Sequence, residues 1–114
     1  MANELTAAVQ LSAGAAVIDL KGEINAFAEG AMNAAYAQAM QSKPSSIMLN
    51  FHSVDYINST GIALIVSLMA QARKSGVKFM ATGLSAHYLE IFKITRLVDF
   101  MTIVPDAASV AAQT

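Results

Sequence analysis

The chain has no cysteine, so its 114 residues hold neither a disulfide framework nor a cysteine-ligated zinc site. Charge is scarce as well: 13% of residues are Asp, Glu, Lys or Arg, about half of the ~25% usual for soluble domains. The little that is present nearly cancels, at a formal −1, which leaves no basic footprint for nucleic acid and no polybasic surface for a membrane. Long apolar runs are missing too. Between Asp55 and Arg73 there is no charge, yet Asn58, Ser59, Thr60, Gly61, Ser67 and Gln71 interrupt the stretch. It falls short of the ~18 apolar residues of a membrane span and reads as a buried helix. Met1 to Val9 contain an acid, no base and no apolar run, unlike a secretory signal. The expectation is a cytoplasmic protein with no direct membrane insertion.

What is present is apolar residues in regular patterns, enough for one domain, expected over residues 1–114, with a core that needs no staples. Leu5, Ala7, Val9 and Leu11 share one parity, as do Ala16, Ile18, Leu20 and Ile24 after the break at Ser12-Ala13-Gly14, which predicts a β-hairpin. From Ala26 to Gln41, Phe27, Met32, Tyr36 and Met40 recur at helical spacing among alanines, until Lys43-Pro44-Ser45-Ser46 stops the pattern. Ile47-Met48-Leu49-Asn50-Phe51 is a short apolar run bounded by turn residues, as in a strand buried on both faces at the centre of a sheet. After a loop from His52 to Asn58, a helix is predicted over Ser59 to Ser75. Ile62, Ile65, Val66 and Met69 line one face, with Arg73 and Lys74 in the last turn and Gly76 at the left-handed cap. A strand over Val77 to Thr82, a short helix carrying Leu89, Ile91, Phe92 and Ile94, a strand over Phe100 to Val104 and a helix from Pro105 through Ala112 complete the pattern. The order β-β-α-β-α-β-α-β-α implies an α/β fold: one mixed sheet of four or five strands with the helices mainly on one face.

The densest polar cluster, Asp55-Tyr56-Ile57-Asn58-Ser59-Thr60-Gly61, falls where the central strand hands over to the most apolar helix, and sites in open α/β sheets collect at the carboxyl ends of strands. Asn58 or Ser59 suits an N-cap, Thr60 the first turn, and Gly61 close packing. The same geometry suits a modification. A phosphorylated hydroxyl at a helix N-terminus sets ~−2 charges against the positive end of the dipole and its free amides, without melting the helix.

Tyr56-Ile57-Asn58-Ser59-Thr60-Gly61-Ile62 resembles the Asp-Ser-(Ser/Thr)-Gly-Leu signature of the STAS domain family, in its anti-sigma factor antagonist branch. Lys21-Gly22-Glu23-Ile24-Asn25 is similar to the family's Gly-Glu-Leu-Asp after the second strand. Ala72-Arg73-Lys74-Ser75-Gly76 is similar to its helix end, and the stretch Ile91 to Phe100 to its Leu-Thr-Gly-Leu before the last strand. The resemblance implies a non-enzymatic protein that binds an anti-sigma factor which is also a serine kinase, and that is released when the kinase phosphorylates Ser59, with Thr60 as the neighbouring candidate. It places the docking surface on Asn25, Asp55, Asn58, Ser59, Thr60, Gly61 and Ile62, extended by the charge-free helix that follows.

Three positions depart from the family's acids: Asn25, Asn50 and Asn58. Asparagine keeps a cap acceptor and loses the charge. These substitutions and the charge-poor composition suit a second reading, a non-switching STAS subunit of a transporter, lipid-transport or stress-signalling assembly. A nucleotide-binding or hydrolytic domain has little support, since Gly61, Gly76 and Gly83 form no phosphate loop. His52 and His87 are in no metal-ligand spacing, and neither cofactor nor metal is expected. Met32, Met40, Met69 and Met80 read as core filler.

Overall fold

In the computed structural model, which describes residues 4–12 and 14–104, the alternation at the start of the chain produces the expected hairpin. Strand β1 (Thr6–Ser12) runs antiparallel to β2 (Ala15–Ile24), with Ser12 opposite Ala15. Helix α1 (Glu29–Gln41), strand β3 (Ser46–Ile57), helix α2 (Ser59–Lys74), strand β4 (Lys78–Thr82), helix α3 (Ala86–Ile94) and strand β5 (Thr102–Ile103) follow. The strands lie in the sheet in chain order, β1-β2-β3-β4-β5, and every pair after the hairpin is parallel. Crossovers of one hand that always step in the same direction put their helices on the same side. Among the described residues the helices of this single α/β sheet therefore lie on one face, as the residue pattern implies.

Alternation within the strands sorts the core accordingly. Ile18, Leu20, Ile47, Leu49 and Phe79 meet Met32, Tyr36, Ile65, Leu68, Met69 and Phe92 of the helices, while Ala15, Val17, Met48 and Met80 bury against Val104 on the opposite face. Strand β3 is central, and Ile47, Met48 and Leu49 are each 0% exposed. Met40 packs at the margin of the main core. Burial raises the phenol pKa of Tyr36, whose hydroxyl is buried without a partner. Helix α2 continues unbroken through Ser67, and Gly76 closes it at φ 73°.

Four features differ from the sequence pattern. The loop expected over His52 to Asn58 is strand as far as Ile57, because the long β2 continues to pair with it up to Ile24. The partner β4 has already ended, level with Asn50. This two-stranded arm leaves His52, Ser53, Asp55 and Tyr56 exposed, and their polarity imitates a loop. The helix expected from Ala26 begins instead as a 3-10 turn over Ala26–Ala28. That turn directs Ala28 inward, 1% exposed, and Phe27 outward, 91% exposed. Val66, expected on one face with Ile65 and Met69, is exposed, as is Ile94 of the short helix. The last strand is cut to Thr102–Ile103 by a 3-10 turn at Leu97–Asp99, entered through Arg96 at φ 66°. The helix expected from Pro105 to Ala112 lies outside the described residues.

Candidate functional site

Strands β2 and β3 end side by side, with Ile24 opposite Ile57, and each is followed by an asparagine. The Phe27 N–H donates to Asn25 Oδ1 at 2.9 Å and the Gly61 N–H to Asn58 Oδ1 at 2.8 Å. Both asparagines are N-caps, one for the 3-10 turn leading into α1 and one for α2. The Ile24 carbonyl joins the two starts. It accepts the Asn58 N–H at 3.2 Å, and it lies so close to Gly61 that a Cβ there would fall 2.0 Å from the oxygen. Gly61 is required by this approach of helix to strand.

Because Asn58 provides the cap, Ser59 is free of that task. Ser59 and Thr60 are the first residues of α2, both exposed, in a first turn without an acidic side chain. A dianion on the Ser59 hydroxyl would meet the positive end of a helix of 16 residues with its cap already in place. Ile62 closes the first helical bond, N–H to Asn58 O at 2.9 Å, and packs half-buried on the core. Beyond it, Ala63, Val66, Ser67, Ala70 and Gln71 are exposed, giving α2 an uncharged outer face that ends at Arg73.

The structure brings Asn25, Asn58, Ser59, Thr60, Gly61 and Ile62 to one end of the sheet. Asp55 is placed differently: it lies on the two-stranded arm and borders a cleft of about 290 Å³ with Glu4, Thr6, Lys21 and Gly22. Asn50 is not at this end either. It stands on the sheet face away from the helices, where its Nδ2 donates to Asp19 Oδ1 at 2.9 Å and its Oδ1 accepts the His52 N–H at 3.0 Å. Gln10 Nε2 donates to the other Asp19 oxygen at 2.8 Å. An acid at residue 50 would face the Asp19 carboxylate, and the amide turns that contact into a hydrogen bond.

Two residues of this end carry no signal in the sequence. Tyr88 of α3 accepts the Ile57 N–H on its hydroxyl at 2.9 Å, replacing the strand that β3 lacks there and holding the residue next to the Asn58 cap. Phe27, two residues after Asn25, has its ring in solvent. No group of three His, Cys, Asp or Glu able to hold a metal occurs among the described residues, where His52 and His87 are exposed. No described helix is long and apolar enough to cross a membrane.

Residues 6–110 match the STAS domain family, and the chain belongs to that family. No curated protein sequence matches it. Several solved structures share its fold. An anti-sigma factor antagonist from Mycobacterium paratuberculosis superposes with a TM-score of 0.81 at 16% identity, covering 96% of this chain and 93% of that one. The Bacillus cell fate determinant SpoIIAA in its phosphorylated form gives 0.73 at 18% identity, over 96% and 100%. A sulfate transporter family protein from Wolinella succinogenes gives 0.76 at 12% identity, over 91% and 87%.

Proposed function

We propose that this protein is an anti-sigma factor antagonist that docks on an anti-sigma factor with serine kinase activity and is released by phosphorylation at Ser59. The observation that carries the reading is the division of labour at the start of α2: Asn58 caps the helix while Ser59 holds an exposed hydroxyl on its first turn. The γ-phosphoryl group of ATP passes to the Ser59 oxygen, the hydroxyl proton leaves, and ADP is released. The product adds ~−2 charges to a surface whose outer helix face is uncharged, and a dianion pressed against a partner without a cationic match disrupts the contact through repulsion and desolvation. The docking surface comprises Asn25, Asn58, Ser59, Thr60, Gly61 and Ile62, with Asp55 at its margin, and the domain works by binding instead of catalysis.

The likeness in fold to a sulfate transporter family protein, with asparagine at positions 25 and 58, favours as a second reading a fixed subunit of a larger assembly. Incubation with each anti-sigma factor kinase of the same organism and ATP, followed by peptide mass spectrometry, separates the two. The switch requires phosphate on Ser59 and none on Ser59→Ala, which still binds. Label confined to residues other than Ser59 and Thr60, or no label from any kinase, moves the function to the fixed subunit.

A further inference from the structure

Phe27 is the most exposed large apolar side chain of the described residues at 91%, and the backbone that carries it is fixed. Its own N–H is held by Asn25 Oδ1, and the 3-10 turn that carries it is closed by the Ala28 N–H to Asn25 O bond at 3.0 Å. Ala28 beside it is buried, which anchors the turn to the core. A phenyl ring standing in water on a capped turn does nothing for the fold. A ring presented in this way is an efficient binding anchor, because its backbone is already ordered and only two side-chain torsions remain to be fixed on association. The ring projects from the turn after β2, at the same strand ends from which α2 and Ser59 begin.

Its neighbours in the chain are acidic: Glu23 and Glu29 flank Phe27, and the next lysine or arginine after it is Lys43, beyond the end of α1. Lys21 lies farther back on β2, in the cleft it shares with Asp55. The surface thus has an apolar point, an uncharged helix face and an acidic border. Complementarity specifies a partner face with a pocket for an aromatic ring, bordered by lysine or arginine. Resting on the antagonist reading above, we infer that Phe27 is the anchor of the interface with the anti-sigma factor and enters such a pocket.

The test is calorimetric titration of the anti-sigma factor that phosphorylates Ser59 with wild type, Phe27→Ala and Phe27→Leu, beside a thermal melt and sedimentation of each. Phe27→Ala should bind at least about tenfold more weakly, as expected for a central aromatic anchor. Phe27→Leu should fall between it and wild type, and the melting temperatures should coincide because the ring is outside the core. Wild type bound and released on phosphorylation, with Phe27→Ala binding within twofold of it, overturns the anchor and leaves the antagonist reading standing. Wild type that binds no anti-sigma factor overturns both. Self-association of wild type that Phe27→Ala abolishes assigns the ring to a second copy of this chain and also overturns the proposal.

Discussion

Two glycine-to-alanine substitutions in helices of this protein should have effects of opposite sign, and the difference tests how the start of α2 is seated on the end of β2. Gly30 lies in α1 with nothing within 4 Å of the point where a Cβ would stand, so alanine there gains helix propensity and should stabilise by up to ~1 kcal/mol. Gly61 has the same propensity to gain, but its Cβ would come within 2.0 Å of the Ile24 carbonyl oxygen, where real contacts stay above about 3.0 Å. The first turn of α2 must withdraw by roughly 1 Å. The Asn58 N–H to Ile24 O bond is already 3.2 Å long and would break, at about 0.5–1.5 kcal/mol. Overpacking against backbone, which cannot swing aside as a side chain can, adds about 1–3 kcal/mol. These terms exceed the propensity gain, so Gly61→Ala should destabilise by about 2 kcal/mol net. For a domain of this size that lowers the melting temperature by roughly 10 °C, against a rise of several degrees for Gly30→Ala. Differential scanning calorimetry of both variants beside wild type makes the comparison. A Gly61→Ala melt at or above wild type would refute the claim that α2 is clamped on the end of β2.

Ser59→Asp adds one carboxylate to a capped helix start, where the dipole makes it neutral or stabilising by ~0.3–1 kcal/mol. Its melt should stay close to wild type while affinity for the anti-sigma factor falls at least about tenfold; titration of both proteins checks this, and unchanged affinity would remove Ser59 from the interface. Asn50→Asp replaces the donor 2.9 Å from Asp19 Oδ1 with a second carboxylate, which should destabilise by roughly 1–3 kcal/mol at neutral pH and recover in part at high salt. Urea unfolding at low and high salt reads both effects, and a variant as stable as wild type at low salt would show that the amide bond is unimportant.

The parts of the fold legible in the sequence are those in which one periodicity runs the length of an element. Ile47 to Leu49 is apolar without alternation, and it is the central strand buried on both faces. Ile65 and Met69 recur at helical spacing, and they face the core. Phe27 is legible as apolar but not as exposed, because spacing arguments assume 3.6 residues per turn and the chain there winds as a 3-10 turn. The arm after Asn50 is hidden for another reason. Strand patterns mark burial, and a paired strand with solvent around it carries polar residues that read as a loop. At the start of α2, Asn58 and Ser59 are both good caps by residue type; the choice is made by the Gly61 N–H, which reaches Asn58. The Tyr88 to Ile57 bond, 31 residues apart in the chain, leaves no local trace at all.

The asparagines at positions 25 and 58 look from the sequence like the loss of a charged site. Their hydrogen bonds give them a different meaning. Each supplies a cap through its side-chain oxygen, which aspartate would supply equally. What differs is the field at the start of α2. An aspartate at 58 would already neutralise part of the half-charge at the helix N-terminus and would stand one residue from Ser59, where carboxylate and phosphate repel by about 1 kcal/mol even in water. With asparagine the geometry is kept and the positive end of α2 has no acidic side chain in its first turn. A phosphate on Ser59 would therefore meet the undiminished helix end. Asparagine at position 58 makes this helix start better suited than aspartate would to carry a phosphate.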